Sequence, residues 1–450
     1  MSPLSTSRLV LELEPDQAFL PTAAAATENA AQVYGLDALA SLRLALAVEE
    51  YFSYLCSFAG REEPIRLTLT QGGTFVRASF RFRAGEVSLR ALNFAASVDL
   101  EGGEGAEAEL GLLVASRTTD RSSLELSGAD VYQLCAEVDR GYPPGEPVTA
   151  PQHLSGPLRL DEAPGAGALQ HSALLAAGRY PTRLCPRCFH RPGRFADMVA
   201  ANQYRALVAL DSADRPAGLL CWRASGRKGV VFSGPYVFAD AADLAAEAAR
   251  LLTERFLSLV ARTEAVCAFS ERPTQDLPKG WFERLGALHL PERDDAGHLA
   301  FTDQPAFFRH LREDVGGAVW AHPDLFPFLQ AQYDRLAFSR DLLAAAPPAQ
   351  SLLPAYSLLA TSWDRMRGLV VLKPLLDGRD ISANLGAHVR ALNEAEGDDA
   401  PAILVHLDLS EPWQGALYPA LAENGFAPRL ILPHGGNSDI LVCQHVHADS

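Results

Sequence analysis

Leu46-Ala47-Val48-Glu49-Glu50-Tyr51-Phe52-Ser53-Tyr54-Leu55-Cys56-Ser57-Phe58-Ala59 reads as helix, and its place in the chain decides the fold of the first third. With Leu39 and Leu42, the residues Leu46, Val48 and Phe52 form one apolar stripe, so the helix is expected from Asp37 to Ala59. An alternating strand at Leu9–Leu13 and a helix at Pro21–Tyr34 precede it. After it come expected strands at Ile65–Thr70, Phe75–Phe82 and Glu86–Leu92, the first two joined by the hairpin signal Gln71-Gly72-Gly73. Leu100–Gly105 reads as a loop, Ala106–Ser116 as a helix, and strands near Leu124 and Val131 close the segment.

The Pro- and Gly-rich residues 141–156 read as a linker. Beyond them, strands are expected at Arg205–Leu210, Ala217–Arg223, Gly229–Phe232 and Ala265–Ser270, with a main helix at Ala239–Arg262. Residues 301–350 are expected to be mostly helical. A comparable order then returns: strands Ser357–Ser362 and Gly368–Lys373, helix Ile381–Asn393, strand Ala402–Leu407, helix Pro412–Asn424, and strands Arg429–Pro433 and Asp439–Gln444. The resulting partition is 1–140, linker 141–156, 157–300, a helical connection 301–350, and 351–450. The expected class is α/β (α+β): a two-layer sandwich followed by one or two mixed-sheet domains.

A chain of 450 residues is too long for one hydrophobic core. Its 48% apolar and 21% charged residues are an ordinary globular balance. The formal charge of −16 and the lack of any basic run argue against nucleic acid as a partner. No basic segment followed by an apolar stretch marks a signal peptide, and no apolar run reaches ~18 residues, so neither secretion nor a membrane span is expected. Seven scattered cysteines suit a reducing compartment, and a cytoplasmic location is expected.

The run Leu46–Ala59 resembles the N-box helix of the GHKL (histidine-kinase-like) ATPases, above all the small bacterial serine kinases that act as anti-sigma factors. The resemblance places the family's general base on Glu50, its Mg²⁺-ligating Asn on Tyr54 and its usual His on Phe58. A phenol does not replace a carboxamide as a compact Mg²⁺ ligand. Phe82-Arg83-Ala84-Gly85-Glu86 lacks the Asp that would read adenine, and the glycine-rich loop survives only as Glu109-Leu110-Gly111-Leu112-Leu113. The ending Ser127–Leu134 still resembles the family's closing strand. The resemblance therefore implies a pseudo-ATPase, with Glu50, Tyr54 and Gly111 as vestiges of an ATP-Mg²⁺ site.

The middle third, from Gly178-Arg179-Tyr180-Pro181 through Tyr204–Asp211 to Arg215–Leu220, resembles the first half of a GNAT-type acyltransferase. Phe282, Glu283, Leu285 and Gly286 resemble that family's late strand-to-helix stretch, and the last third resembles a diverged second copy. Family members hold the acyl-CoA pyrophosphate at a glycine-rich helix N-terminus. The matching position Tyr236–Asp243 has no glycine and two aspartates. The second copy offers Gly378, Arg379 and Ser382 among acidic neighbours.

Cys185-Pro186-Arg187-Cys188-Phe189-His190 is a half-site for zinc at most, and a loop by preference. His434-Gly435-Gly436 reads as a turn between strands, Trp363, Trp413 and Phe426 read as core, and His388 belongs to no metal spacing. The combined expectation is a regulatory protein that binds a protein partner, an antagonist-type regulator or a sigma factor. The alternatives are an N-acyltransferase with an atypical acyl-CoA loop and a small-molecule sensor.

Overall fold

The computed structural model describes residues 7–58, 64–83, 90–95, 106–126, 131–146, 148, 153–293, 299–396 and 400–446. The chain begins β1 (Arg8–Leu13), α1 (Leu20–Val33), α2 (Ala38–Phe58), β2 (Ile65–Gln71), β3 (Phe75–Arg83), α3 (Ala106–Thr118), β4 (Arg121–Leu126), β5 (Val131–Asp139). It continues with β6 (Arg159–Asp161), α4 (Ala166–Arg179), α5 (Pro192–Ala200), β7 (Arg205–Leu210), β8 (Pro216–Ser225), β9 (Gly229–Val237), α6 (Ala242–Val260) and β10 (Cys267–Ser270). Then follow β11 (Glu283–Arg293), β12 (Leu299–His310), β13 (Gly317–Ala321), α7 (Phe326–Leu336) and β14 (Arg340–Ala344). The last stretch holds β15 (Leu358–Asp364), β16 (Leu369–Leu376), α8 (Ile381–Glu396), β17 (Ala402–Asp408), α9 (Pro412–Gly415), α10 (Tyr418–Glu423), β18 (Phe426–Leu432) and β19 (Ile440–His445). This is the mixed α/β class that the sequence pattern calls for.

Two compact units form. One comprises Met1–Gly141, Pro348–Ser362 and Leu372–Leu392; the other comprises Tyr142–Pro347, Trp363–Val371 and Asn393–Ser450.

In the first unit an antiparallel sheet of order β1-β2-β3-β5-β4 is covered by helices on one face. Alternation drives this: Leu67, Leu69, Val76, Ala78 and Phe80 point into the core while their neighbours Arg66 and Arg77 pair with Glu12 and Glu137 outside. The buried stripe of α2 is Leu44, Ala47, Val48, Tyr51, Phe52 and Leu55, which keeps Val48 and Phe52 of the expected stripe and leaves Leu46 half-buried. Leu39 and Leu42 are exposed, because the 44-48-51-55 spacing keeps one face while 39 and 42 lie outside it. Arg90–Leu92 forms a short 3-10 turn rather than the end of a strand. The expected elements at 86–89 and 100–105, and Ser127–Asp130 of the closing stretch, lie outside the described residues.

The second unit carries a seven-stranded sheet of order β11-β12-β10-β9-β8-β7-β6. Its β9/β10 pair is parallel and its other pairs are antiparallel. Parallel neighbours need a long crossover, and α6 supplies it. Successive residues of β7 and β8 serve opposite faces: Val208 and Leu219 join the cluster with Phe189, Phe195 and Tyr236, while Leu207 and Leu220 join the one with Leu252 and Phe256. α4 and α5 cover one face and α6 the other, which explains the near-continuous apolar runs of these strands.

Two expectations fail here. Residues 301–350 hold more strand than helix, with α7 the main helix between the parallel pair β13 and β14. The helical pattern of Phe326–Leu336 dominated a segment whose strands are short or rich in polar residues. Phe282–Gly286 runs into β11 rather than ending in a helix, with a bulge between Arg284 and Gly286. A Cβ on Gly286 would lie 2.8 Å from the Leu430 Cβ, so the glycine permits β18 to approach. In the last third β17, β19 and β18 pair antiparallel.

Candidate functional site

Glu50 and Gly111 are brought together by the packing of α2 against α3. A methyl group in place of the Gly111 hydrogen would lie 2.2 Å from Glu50 Oε2. Burial, with help from Glu49, holds the Glu50 carboxyl above its ordinary range. Tyr54, one turn on, is buried in the apolar core. Gly111 sits inside α3, not in a loop. Residues 84–86, where the resemblance places an adenine-reading Asp, lie outside the described residues.

Gly378, Arg379 and Ser382 meet at the start of α8. The Gly378 amide donates to Asp377 Oδ1 at 2.8 Å, the Arg379 amide to the Pro354 carbonyl at 3.0 Å, and the Ile381 amide to the Gly378 carbonyl at 3.2 Å. Asp380 Oδ1 accepts from the Ser357 amide at 2.6 Å. A Cβ on Gly378 would lie 2.3 Å from the Ser357 nitrogen, so this glycine serves backbone packing. The buried Asn93 completes the cluster by donating to the Ser357 carbonyl and accepting from the Leu359 amide, each at 2.9 Å. A lone Asn with no motif around it gives no sequence pattern by which this role could be read.

The loop between β9 and α6 holds Phe238 and Ala239 buried in the core. Asp240 pairs with Arg179 at 2.7 Å, and Asp243 lies in the first turn of α6. Just before the loop, the Tyr180 hydroxyl accepts from the Val237 amide at 2.6 Å. It lies 2.6 Å from Asp276 Oδ2 and 3.1 Å from the Val237 carbonyl. Thr274 Oγ1 donates to the Pro235 carbonyl at 2.6 Å. The polar groups at this end of β9 are therefore engaged by the protein's own side chains.

No family model matches the chain, and no curated protein matches it. Solved structures do. One is an aminoglycoside 6′-acetyltransferase type Ii, 14% identical, covering 35% of this chain and 99% of its own, at a TM-score of 0.25. Another is a GNAT-family acetyltransferase from Staphylococcus aureus Mu50, 9% identical, covering 35% and 100%, at a TM-score of 0.26. Similarity at that level carries no conclusion about chemistry.

Cys185 and Cys188 lie in the apolar cluster of Phe189, Phe195 and Tyr236. Burial pushes each thiol up to about 12, the wrong direction for a thiolate ligand. Among the described residues no group of three or more His, Cys, Asp or Glu is arranged to hold a metal. The His434-Gly435-Gly436 turn is held by carboxylates: Asp408 Oδ2 accepts from the Asn437 amide at 2.8 Å and Asp439 Oδ1 from the His434 amide at 2.8 Å. Among the described residues no helix is long and apolar enough to cross a membrane.

One cleft of the second unit escaped the sequence reading. Its volume is about 350 Å³, and Thr182, Arg183, Glu292, Trp363, Arg365 and Arg367 contribute to its wall. Trp363, expected in the core, is half-buried here with the Arg365 guanidinium 4.6 Å from its ring centre. The arginines come from two distant stretches of chain, so no local motif announces them.

Proposed function

We propose that the protein is a regulator that acts by binding, built on a degenerate anti-sigma-like GHKL module and a GNAT-like module. The observation that carries this reading is the end of β9 and the start of α6. Asp240 and Asp243 flank the helix N-terminus, no glycine lies between Tyr236 and Asp243, and Tyr180 and Thr274 take the backbone groups before it. A pyrophosphate at that position would face the Asp240 and Asp243 carboxylates beside the uncapped first turn of α6. Glu50 set against α3 and Tyr54 in the core support the same reading for ATP-Mg²⁺.

Titration calorimetry with ATP-Mg²⁺ is expected to show no saturable binding at millimolar ligand. Acetyl-CoA is expected to leave the melting temperature unchanged. A ligand at 100 times its Kd would contribute about 2.7 kcal/mol, so binding could not be missed. A micromolar constant for either ligand overturns the reading. The partner class is an antagonist-type regulator or a sigma factor, and the site of action is the cytoplasm.

The rival reading is an N-acyltransferase, favoured by the parallel β9/β10 pair joined through α6. Acyl transfer from acetyl-CoA to an amine panel, followed by thiol release, decides between them.

A further inference from the structure

Beside this cleft, Arg367 has guanidinium donors left without an acceptor among the described residues. The Arg367 side chain is 5% exposed. Its Nη2 donates to the Arg183 carbonyl, while Nε and Nη1 have no hydrogen-bond acceptor among the described residues. The nearest carboxylate, Asp364 Oδ2, stands 3.7 Å from Nη1, an ion-pair distance too long for a good hydrogen bond. Arg183 repeats the pattern: one arm of its guanidinium donates to Glu292, and its buried Nε has no acceptor among the described residues.

A buried guanidinium with idle donors is costly, because desolvation is not returned by hydrogen bonds. One buried guanidinium and a second, partly exposed one with a buried idle Nε meet at one cleft from distant chain segments, which is hard to explain as packing alone. Among the described residues, the arginines Arg183, Arg365 and Arg367 outnumber the carboxylates Glu292 and Asp364 at this wall. Glu292 is further engaged by the Thr302 hydroxyl at 3.0 Å. Planar guanidinium donors match oxyanions in geometry as well as charge. A volume of about 350 Å³ is that of a small-molecule site, and the Pro181, Pro291 and Met366 side chains give it an apolar wall.

We propose that this cleft is a binding site for a small oxyanion, the phosphate or carboxylate group of a soluble metabolite, held by Arg367 and Arg183 and closed at the rim by Arg365. Bound anion would compete with the Trp363 ring for the Arg365 guanidinium, which makes Trp363 a reporter. Failure of this site would leave the regulatory reading standing, since that reading turns on ATP and acyl-CoA.

The test is calorimetric titration of the full chain with inorganic phosphate and, separately, with succinate, paired with tryptophan fluorescence. One saturable site is expected, with a fluorescence change that Trp363→Phe abolishes while binding persists. The tighter of the two probes names the phosphoryl or the carboxylate class. Arg367→Met is expected to weaken binding at least tenfold, and Arg365→Ala three- to tenfold without lowering the melting temperature. If Arg367→Met does not fold, the exposed Arg365 and the conservative Arg183→Lys decide. No saturable binding of either probe at tens of millimolar overturns the proposal, as does binding that none of the folded arginine variants weakens.

Discussion

Arg340 donates through Nε to Asp439 Oδ2 at 2.8 Å, and the two side chains are 2% and 0% exposed. Asp314 Oδ2 takes Nη2 of the same guanidinium at 2.8 Å and lies 3.1 Å from His434 Nε2. The Phe338 ring stacks 5.1 Å from the guanidinium carbon. This cluster ties β14 to the turn before β19, so the glycines of His434-Gly435-Gly436 serve a fixed turn. A Cβ on Gly226, at φ +58°, would lie 2.3 Å from the His434 and Gly436 carbonyl oxygens, so only glycine lets the β8–β9 turn pack against this one.

Removing one partner of a buried ion pair strands the other charge. Arg340→Met or Asp439→Leu alone is expected to cost about 3–5 kcal/mol in equilibrium urea unfolding. The double variant should cost less than the sum of the singles, because it leaves one charge fewer unpaired. A loss below about 1 kcal/mol for both singles would show that the cluster is not a structural tie.

Asp211 gives the fold an acid limit. Burial alone would raise its pKa, but the Arg215 guanidinium and the amides of Arg215, Ala213 and Ser155 outweigh that and hold it at about 2, against an ordinary 3.8. A depressed carboxylate stabilises the fold above the unfolded value, and that contribution is lost as pH falls from there towards 2. The expected loss is about 2 kcal/mol. Chemical denaturation at stepped pH measures it, and Asp211→Asn should flatten the profile in that window while lowering stability at pH 7.

The class and most element positions were legible because alternation and helical spacing report burial directly. Leu67/Leu69 and Val76/Ala78/Phe80 declare a one-sided sheet, and Val208/Leu219 against Leu207/Leu220 declare a two-sided one. The stripe of α2 was misread because Leu39 and Leu42 are apolar yet exposed, and composition does not distinguish a face from a patch. Residues 301–350 were misread because β12 alternates weakly and is pinned by its pairing with the distant β10. The site residues picked by resemblance do cluster locally, Glu50 with Gly111 and Gly378 with Arg379. The Arg183/Arg367 cleft was illegible, since arginines brought together by tertiary structure leave no spacing to read.

His388 should set a neutral-pH slope. It is fully buried on α8, its Nδ1 donates to the Asn384 carbonyl at 2.9 Å, and Nε2 has no hydrogen-bond partner among the described residues. Burial depresses its pKa below the ordinary 6.5, and the Asn384 carbonyl only partly opposes this. The unfolded chain then binds a proton the fold refuses, so stability is complete above pH 6.5 and falls as the pH drops below it. His388→Leu should remove that slope and leave stability at pH 8 within about 1.5 kcal/mol of the parent. An unchanged slope in the variant would place its origin elsewhere.

The contact between Glu50 and Gly111 yields a double-mutant cycle that bears on the vestigial ATP site. Alanine in place of a helix-interior glycine gains up to about 1 kcal/mol from propensity. At Gly111 the new methyl would meet Glu50 Oε2 at 2.2 Å, so the carboxylate must swing aside and part of the gain is spent. Gly111→Ala should therefore stabilise the Glu50→Ala background more than the parent, with a coupling of about 0.5 kcal/mol or more by thermal and urea unfolding. Equal gains in both backgrounds would mean that the carboxylate does not rest on α3 and is free to face a nucleotide. A coupled pair would mean that the residue at the general-base position has become part of the helix packing, and that restoring Asn at Tyr54 alone would not restore ATP-Mg²⁺ binding.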